Sequence, residues 1–186
     1  MTTKEQATKN LIDCKRIFNE LEIPFCLWGG TMLGAFRDND FIPYDEDDLD
    51  IRIDEKYAVH EKEIIKKFKE AGFRKKRSYY YKEKWIGGSV IRGTNHIDIG
   101  FYYWKGDNVY TLRRAKRDKR GYEPSVYPRH HFEKFDTIKL AGINVRIPQD
   151  TAKFLEIRYG KDWNIPHLRP KWKASMVKST KPEYEF

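Results

Sequence analysis

The sequence predicts an α+β fold in which helices pack on one mixed or antiparallel β-sheet. Three observations lead to this prediction. Apolar residues recur every three or four positions near the N-terminus, acidic and aliphatic residues alternate from position 48, and the middle of the chain is rich in Tyr, Trp, Ile and Val punctuated by Gly. The first pattern is typical of an amphipathic helix, and the other two are typical of strands.

The helices are predicted from apolar stripes and from the residues that end them. The first stripe stops before Pro24, a second helix is predicted over 56–71 and ends at Gly72, and a last helix is predicted over 150–159 and ends at Gly160. A short helical turn is also predicted from Gly29–Thr31 through Phe36. The residues of the first stripe are Ala7, Leu11, Cys14, Phe18 and Leu21.

The strands are predicted from buried-face alternation and from β-propensity. They are expected at 24–28, 48–53, 78–83, 85–91, 96–103, just after 106–108, and as a pair within 136–147. The segment 37–47 and the part of the chain from about 164 onward lack periodicity and are predicted to be irregular. We expect one domain over residues 1–186.

Composition limits the class of protein. The chain has 186 residues, 39% of them hydrophobic, and a formal net charge of +9, which favours a partner carrying phosphate or carboxylate. Cys14 and Cys26 are expected to be buried free thiols. The polar N-terminus and the lack of any apolar run near the ~20 residues that span a bilayer predict a cytoplasmic protein without a transmembrane segment.

The acidic stretch from Asp45 to Asp50 is the most informative feature. Leu49, Ile51 and Ile53 share one face of the predicted strand, so Asp48 and Asp50 project from the other face. Two carboxylates at i and i+2 can share a hard divalent cation such as Mg²⁺ or Mn²⁺. For Asp45, Glu46 and Asp47 a solvated loop is as good an interpretation as a functional role.

A third carboxylate follows from the same parity argument. Ile97, Ile99 and Phe101 form a buried face, which leaves Asp98 on the opposite face. A desolvated carboxylate needs a compensating partner. If the two strands are neighbours, Asp48, Asp50 and Asp98 form one metal-binding and catalytic cluster.

Gly29, Gly30 and Thr31 lie where a strand is followed by a helix. Small residues at that position let backbone N–H groups approach a phosphate at the positive end of the helix. Gly-Gly is also common in ordinary turns, so the signal is weak taken by itself.

The segment Gly30–Arg37, the following 41–45 and the acidic strand resemble the LicD/fukutin family. The hallmark of that family is a Gly-Thr-Leu-Leu-Gly-Ala segment with a following Arg, then Ile-Pro-Trp-Asp and an Asp-x-Asp pair. The later segments 147–150 and 159–163 with Pro166 are similar to its C-terminal helix and Tyr-Gly-Asp-Trp ending, and Ile97-Asp98-Ile99 is similar to its third carboxylate. The resemblance extends from about residue 24 to 166.

The resemblance implies a nucleotidyltransferase-like fold and a metal-dependent transfer reaction. A phospho-substituent (phosphocholine, ribitol phosphate or similar) would pass from a CDP-linked donor to a sugar hydroxyl of a glycan. Asp48 and Asp50 would hold the metal, and Asp98 would bind metal or act as base. Gly29, Gly30 and Thr31 would line the donor diphosphate, with Arg37 nearby.

The acidic strand departs from the family pattern in one respect. The usual spacing has one residue fewer before the final Asp-x-Asp, and Trp replaces Tyr44. Either a residue is inserted in the loop or Asp45 and Asp47 take the metal roles. Parity favours the insertion, because Leu49 would otherwise occupy a ligand position.

Two other functions remain open. The first is nucleotidyl transfer, in which a nucleoside monophosphate passes to a small molecule or RNA. The second is a non-catalytic nucleic-acid-binding module, suggested by the net charge and by the basic runs 74–77 and 113–120. This module ranks last, because three carboxylates beside a nucleic-acid groove would repel the ligand. The basic runs are expected to lie on the surface and His130–His131 on the surface or in a loop, and His96 either orients Asp98 or is structural.

Overall fold

The computed structural model describes residues 2–114 and 122–166. Its helices are α1 (Thr3–Glu20), α2 (Gly29–Asp38), α3 (Glu61–Glu70), α4 (His130–Glu133) and α5 (Thr151–Tyr159), with a 3₁₀ helix at Glu55–His60. Its strands are β1 (Phe25–Leu27), β2 (Asp48–Asp54), β3 (Arg74–Tyr81), β4 (Lys84–Arg92), β5 (Asn95–Lys105), β6 (Asn108–Arg114), β7 (Tyr122–Pro128), β8 (Phe135–Leu140) and β9 (Ile143–Pro148). The predicted α+β class is confirmed.

A mostly antiparallel seven-stranded sheet organises the fold. Its main path runs β1-β2-β5-β4-β3, and β6 pairs with both β5 and β7. The pair β2–β5 is parallel, whereas every other described pair is antiparallel. A separate hairpin, β8–β9, lies outside this sheet. The parallel pair therefore brings the acidic strand beside the strand that carries Asp98.

The hydrophobic core follows the predicted parity of β2 and β5. Ile51 and Ile53 of β2 and Ile97 of β5 are fully buried. On the helical side, Phe18 of α1 packs on Phe68 of α3 with ring centroids 5.9 Å apart. Burial of these side chains on one face leaves the polar residues of both strands on the other.

The hairpin β6–β7 makes aromatic contacts with two distant parts of the chain. Tyr122, where β7 begins, lies 6.4 Å from Tyr79 of β3 between ring centroids. Tyr127, near its end, lies 5.5 Å from Trp28, the residue that follows β1. The ring of Tyr127 also packs on Phe154 of α5, so the hairpin and α5 are joined to the same tryptophan.

Several expectations need adjustment. The helix predicted over 56–71 begins as the 3₁₀ helix and becomes α-helical only at Glu61. Strand β7 and helix α4 were not predicted, because Pro124 and Pro128 and the basic segment before them indicate a loop. Cys14 and Cys26 are buried free thiols, as expected. Within the described residues, no helix combines the length and the apolar character that a membrane crossing requires.

Candidate active site

Three carboxylates meet at the junction of β2 and β5. Asp50 is the register partner of Asp98 in the parallel pair, and Asp48 lies two residues earlier on the same face of β2. Each of the three offers an oxygen, and these oxygens lie within 4.8 Å of one another. The structure thus brings together the three residues selected by parity.

Burial and mutual repulsion govern the charge of this cluster. The pKa of Asp48 is raised above its usual range by burial first and then by the charges of Asp50 and Asp98. Burial also raises the pKa of Asp50, against the opposing effect of the nearby Arg52 guanidinium. The pKa of Asp98 is raised by burial as well. A cation would relieve this cost, because it stabilises all three ionised forms.

The cluster fits a divalent metal ion. The Oδ1 atom of Asp48 is enclosed and has no hydrogen-bond partner among the described residues. A buried oxygen without a partner is costly, and a metal ion would supply the missing contact. Three carboxylates also provide the hard oxygen ligands that Mg²⁺ and Mn²⁺ prefer.

The first turn of α2 lies against the acidic strand. Gly29 has φ of +55°, and a Cβ placed on it would lie 2.0 Å from Oδ2 of Asp50. A Cβ on Gly30 would lie 1.9 Å from Oδ2 of Asp45. The two glycines therefore make room for carboxylates at the positive end of the helix, where negative charge is favoured. Their contact with a donor diphosphate stays a prediction.

Thr31 holds the acidic strand in position. Its hydroxyl donates to the carbonyl oxygen of Asp48 at 3.1 Å and accepts from the amide of Asp50 at 2.9 Å. The residue is only 3% exposed. Because one side chain bonds the backbone on both sides of Leu49, it fixes where the Asp48 and Asp50 side chains begin.

Arg37 lies at the end of α2. Its guanidinium makes a bidentate contact with the Asp38 carboxylate, at 2.8 and 2.7 Å. The hydrogen bond to Asp38 raises the pKa of Arg37. In this state its donors face a neighbouring acid, and the donor contact implied by the resemblance stays a prediction.

Residues 22–150 match the family model described as LicD/FKTN/FKRP, nucleotidyltransferase domain. The chain belongs to this family. The family resemblance is therefore confirmed, and the matched residues include α2, β2 and β5.

Curated relatives within the LicD family span more than this chain. The chain is 30% identical over 180 residues to a Mus musculus protein named ribitol-5-phosphate transferase FKTN. The alignment covers 94% of this chain and 37% of that protein. It is 25% identical over 143 residues to the Homo sapiens ribitol 5-phosphate transferase FKRP, covering 74% of this chain and 28% of that protein. The chain thus spans 37% of the first relative's length and 28% of the second's.

A solved structure supports the fold. The antibiotic-resistance factor ANT(2'')-Ia in solution has a TM-score of 0.52 and 17% identity, covering 79% of this chain and 66% of that chain. The crystal structure of ANT(2'')-Ia with adenylyl-2''-tobramycin has a TM-score of 0.51 and 15% identity, covering 82% of this chain and 77% of that chain. At these identities the likeness extends to the fold alone.

His96 contacts a lysine in this LicD-family chain. Its Nε2 lies 2.6 Å from the Nζ atom of Lys76, whereas the described contacts include no hydrogen bond from His96 to Asp98. Burial, and next the charge of Lys76, lower the pKa of His96. Lys76 belongs to the basic run 74–77, whose side chains are exposed on β3 as expected. In the other basic run, 115–120 and the side chains of Arg113 and Arg114 lie outside the described residues.

Two arginines near the cluster were missed by the sequence interpretation. Arg52 follows Asp50 on the same face of β2, so parity alone could have placed it. Arg158 lies on α5, and both guanidinium groups lie over the ring of Trp28. Nothing in the sequence pattern connects α5 to β2, so Arg158 had no local signal.

The surface or loop placement expected for His130–His131 holds for His130 but is wrong for His131. His130 is exposed, but His131 is fully buried and its Nδ1 lies 2.7 Å from the carbonyl oxygen of Gln149. Its ring packs on Phe154, which supplies the burial that adjacent polar residues do not predict. With Asp150, the two histidines form a second described group whose ligand atoms lie within 4.8 Å of one another.

Proposed function

We propose that the chain is the transferase domain of a LicD-family enzyme that moves a polyol phosphate. The transferred group would be ribitol 5-phosphate or a similar phospho-substituent, carried by a CDP-linked donor, and the acceptor would be a sugar hydroxyl of a glycan. The observation that carries the proposal is the Asp48, Asp50 and Asp98 cluster on adjacent parallel strands. The relatives named as ribitol-phosphate transferases support the choice of substituent.

In this proposal Asp48 and Asp50 hold a magnesium ion. The enclosed Oδ1 of Asp48 and the closeness of the two carboxylates support that role. Magnesium supplies charge neutralisation to the donor diphosphate, which is most of what phosphoryl transfer requires. Thr31 acts as a positioning residue, because its hydroxyl fixes the backbone of both ligands.

Asp98 accepts the proton of the acceptor hydroxyl. The hydroxyl oxygen forms a bond to the phosphorus that bears the polyol, the bond from that phosphorus to the bridging oxygen breaks, and CMP leaves with the electron pair. The position of Asp98 beside Asp50 supports this role, since the base must be near both the metal and the acceptor. The raised pKa of Asp98 also suits a group that must take up a proton.

Nucleotide release tests the proposal. The protein is incubated with magnesium, pooled sugar acceptors and one of CDP-ribitol, CDP-glycerol, CDP-choline, CTP or ATP, beside an Asp50→Ala variant. We expect CMP from a CDP-linked donor with the wild type and none with the variant. Pyrophosphate from a triphosphate would instead establish nucleotidyl transfer. No product from any donor, together with metal-independent binding of RNA or DNA, would refute the enzyme assignment.

A further inference from the structure

Two arginine side chains hold positive charge beside the carboxylate cluster. The Cζ atom of Arg52 lies 5.3 Å from the ring centroid of Trp28, and that of Arg158 lies 4.8 Å from it. The amide of Trp28 donates to the carbonyl oxygen of Asp50 at 3.0 Å, so the ring that both arginines cover belongs to a residue bonded to the strand of the cluster. Each side chain is partly buried.

Arg52 has no acidic partner among residues 2–114 and 122–166. Its Nη1 donates to the carbonyl oxygen of Ile51 at 2.8 Å, and its Nε is enclosed without a hydrogen-bond partner. No ion pair joins it to Asp50, although the two residues share a strand face. A partly buried guanidinium without an anion is costly, and an anionic ligand would compensate it.

Gly100 makes the space that Arg52 occupies. The two residues are register partners in the β2–β5 pair, and a Cβ on Gly100 would lie 2.7 Å from the Cζ atom of Arg52. Any larger residue on this position of β5 would displace the guanidinium. The arginine is therefore held across β5 and against Trp28, and its rotamer is largely fixed before a ligand arrives.

Arg158 is held in a similar way by a side chain of β7. Its Nη1 donates to the hydroxyl of Tyr127 at 2.8 Å, and its Nε is also enclosed without a partner. Within the described residues no carboxylate forms an ion pair with it. Arg37 differs from both arginines, since Asp38 already occupies its fork in bidentate geometry.

We propose that Arg52 and Arg158 form an anion site for the phosphate that leaves with the nucleotide. Guanidinium groups bind phosphate oxygens through planar forks of N–H donors, and both of these groups lie over the ring of one residue, Trp28. The inference rests on the proposed function, in which CMP is the leaving group. The two arginines stabilise the negative charge that develops on the phosphate of CMP as it leaves.

Calorimetric titration with CMP tests this site, first in EDTA and then with magnesium. The variants are Arg52→Gln and Arg158→Gln. The matched charge control is Arg16→Gln, because the Arg16 side chain is exposed on α1. We expect each of the two site variants to weaken CMP binding by about tenfold or more, as for loss of a charged hydrogen bond, and the control to bind as the wild type does. Cytidine, which lacks the phosphate, should bind all four proteins equally.

A further variant distinguishes loss of the anion site from misfolding. Gly100→Ala keeps every charge but places a Cβ against Arg52, so it should weaken CMP binding in the same direction while cytidine binding stays unchanged. Thermal unfolding of each variant verifies that it is folded. Wild-type CMP affinity in folded Arg52→Gln and Arg158→Gln would overturn the inference, and so would a wild type that binds no CMP in either condition.

The result of the CMP-binding test can be distinguished from the result of the nucleotide-release test. If CMP binding depends on both arginines but no CDP-linked donor is turned over, the anion site stands and the transfer reaction does not. If a donor is turned over by the wild type and CMP binding ignores both arginines, the reaction stands and the site is refuted.

Discussion

The face of β2 that carries the cluster begins with an acidic end, Asp48 and Asp50, and continues with Arg52, which forms no ion pair with either acid among the described residues. At the start of β2, Asp48 and Asp50 meet Asp98, and all three pKa values are raised. Two residues further along the same face, burial lowers the pKa of Arg52. Asp50 and Arg52 share a strand face and are both partly buried, so what distinguishes them is the sign of the charge.

This difference indicates what each end binds. An acid and a base two residues apart could have formed a buried ion pair, but here no ion pair joins Asp50 to Arg52 within the described residues. Ion pairs compensate buried charge internally. Because the charge of Arg52 offsets that of Asp50 only in part and without an ion pair, the acidic end still fits a cation, and the guanidinium still fits an anion.

The largest expected effect comes from removing a ligand at the acidic end. Asp50→Asn should lower kcat by about 10³-fold or more, because the metal supplies several kcal/mol of charge stabilisation. Asp54→Asn is the matched control, since Asp54 lies on the same face of β2 but accepts a hydrogen bond from Trp104 at 2.9 Å. Release of CMP measures both. A tenth of the wild-type rate in Asp50→Asn would show that the acidic end is not catalytic.

The next effect comes from the residue that positions the acidic end. Thr31→Val removes two hydrogen bonds to the backbone of β2, so the free energy of unfolding should fall by about 1–3 kcal/mol. The rate should fall roughly 10- to 100-fold, because misplaced ligands lose catalytic geometry. Urea unfolding and CMP release measure the two effects. Thr31→Ser keeps the hydroxyl and should restore both, and a rate equal to wild type in Thr31→Val would contradict the positioning role.

Magnesium should stabilise the fold through the acidic end. A ligand at a hundred times its dissociation constant adds about 2.7 kcal/mol to the free energy of unfolding, which is roughly 5–10 °C in Tm for a chain of this size. Asp98→Asn should lose most of this shift. The exposed Asp136→Asn on β8 should keep it. Equal shifts in both variants would place the ion elsewhere.

The smallest effect concerns the protein without metal. The pKa of folded Asp48 is raised, so between the unfolded and folded pKa values the unfolded chain binds fewer protons, and stability falls as pH rises. In EDTA at pH 8, Asp48→Asn should therefore be more stable than the wild type by roughly 1–2 kcal/mol. The difference should shrink at pH 5. Thermal unfolding at the two pH values measures it, and a wild type that is the more stable at pH 8 would refute the repulsion argument.

Strand parity predicted the acidic half of the site. The alternation of Leu49, Ile51 and Ile53 with acids fixes which residues share a face, and the same holds around Asp98. The same alternation places Arg52 on the face of Asp48 and Asp50, but the sequence does not reveal that Gly100 lies opposite it. That pairing depends on register between strands, which local patterns do not determine.

The remainder of the site depends on tertiary contacts. Arg158 reaches Trp28 only because α5 packs beside the β6–β7 hairpin through Tyr127 and Phe154. Strand β7 was missed because Pro124 and Pro128 are unusual in strands, and they are tolerated here because β7 is an edge strand that pairs with β6 alone among the described strands. His131 was misplaced because its burial comes from Phe154 and Gln149, which lie far along the chain.

The parallel pairing of β2 with β5 has a consequence for how the protein acquires its site. The 3₁₀ helix, α3, β3 and β4 all lie between the two strands in the chain. Asp50 and Asp98 therefore meet only after a long loop has closed. The entropic cost of closing the loop comes before the stabilising contacts between the two strands form. A ribosome-bound fragment that ends before β5 has the acidic strand but not the complete cluster. Metal uptake should therefore come late in folding, once the central sheet is complete.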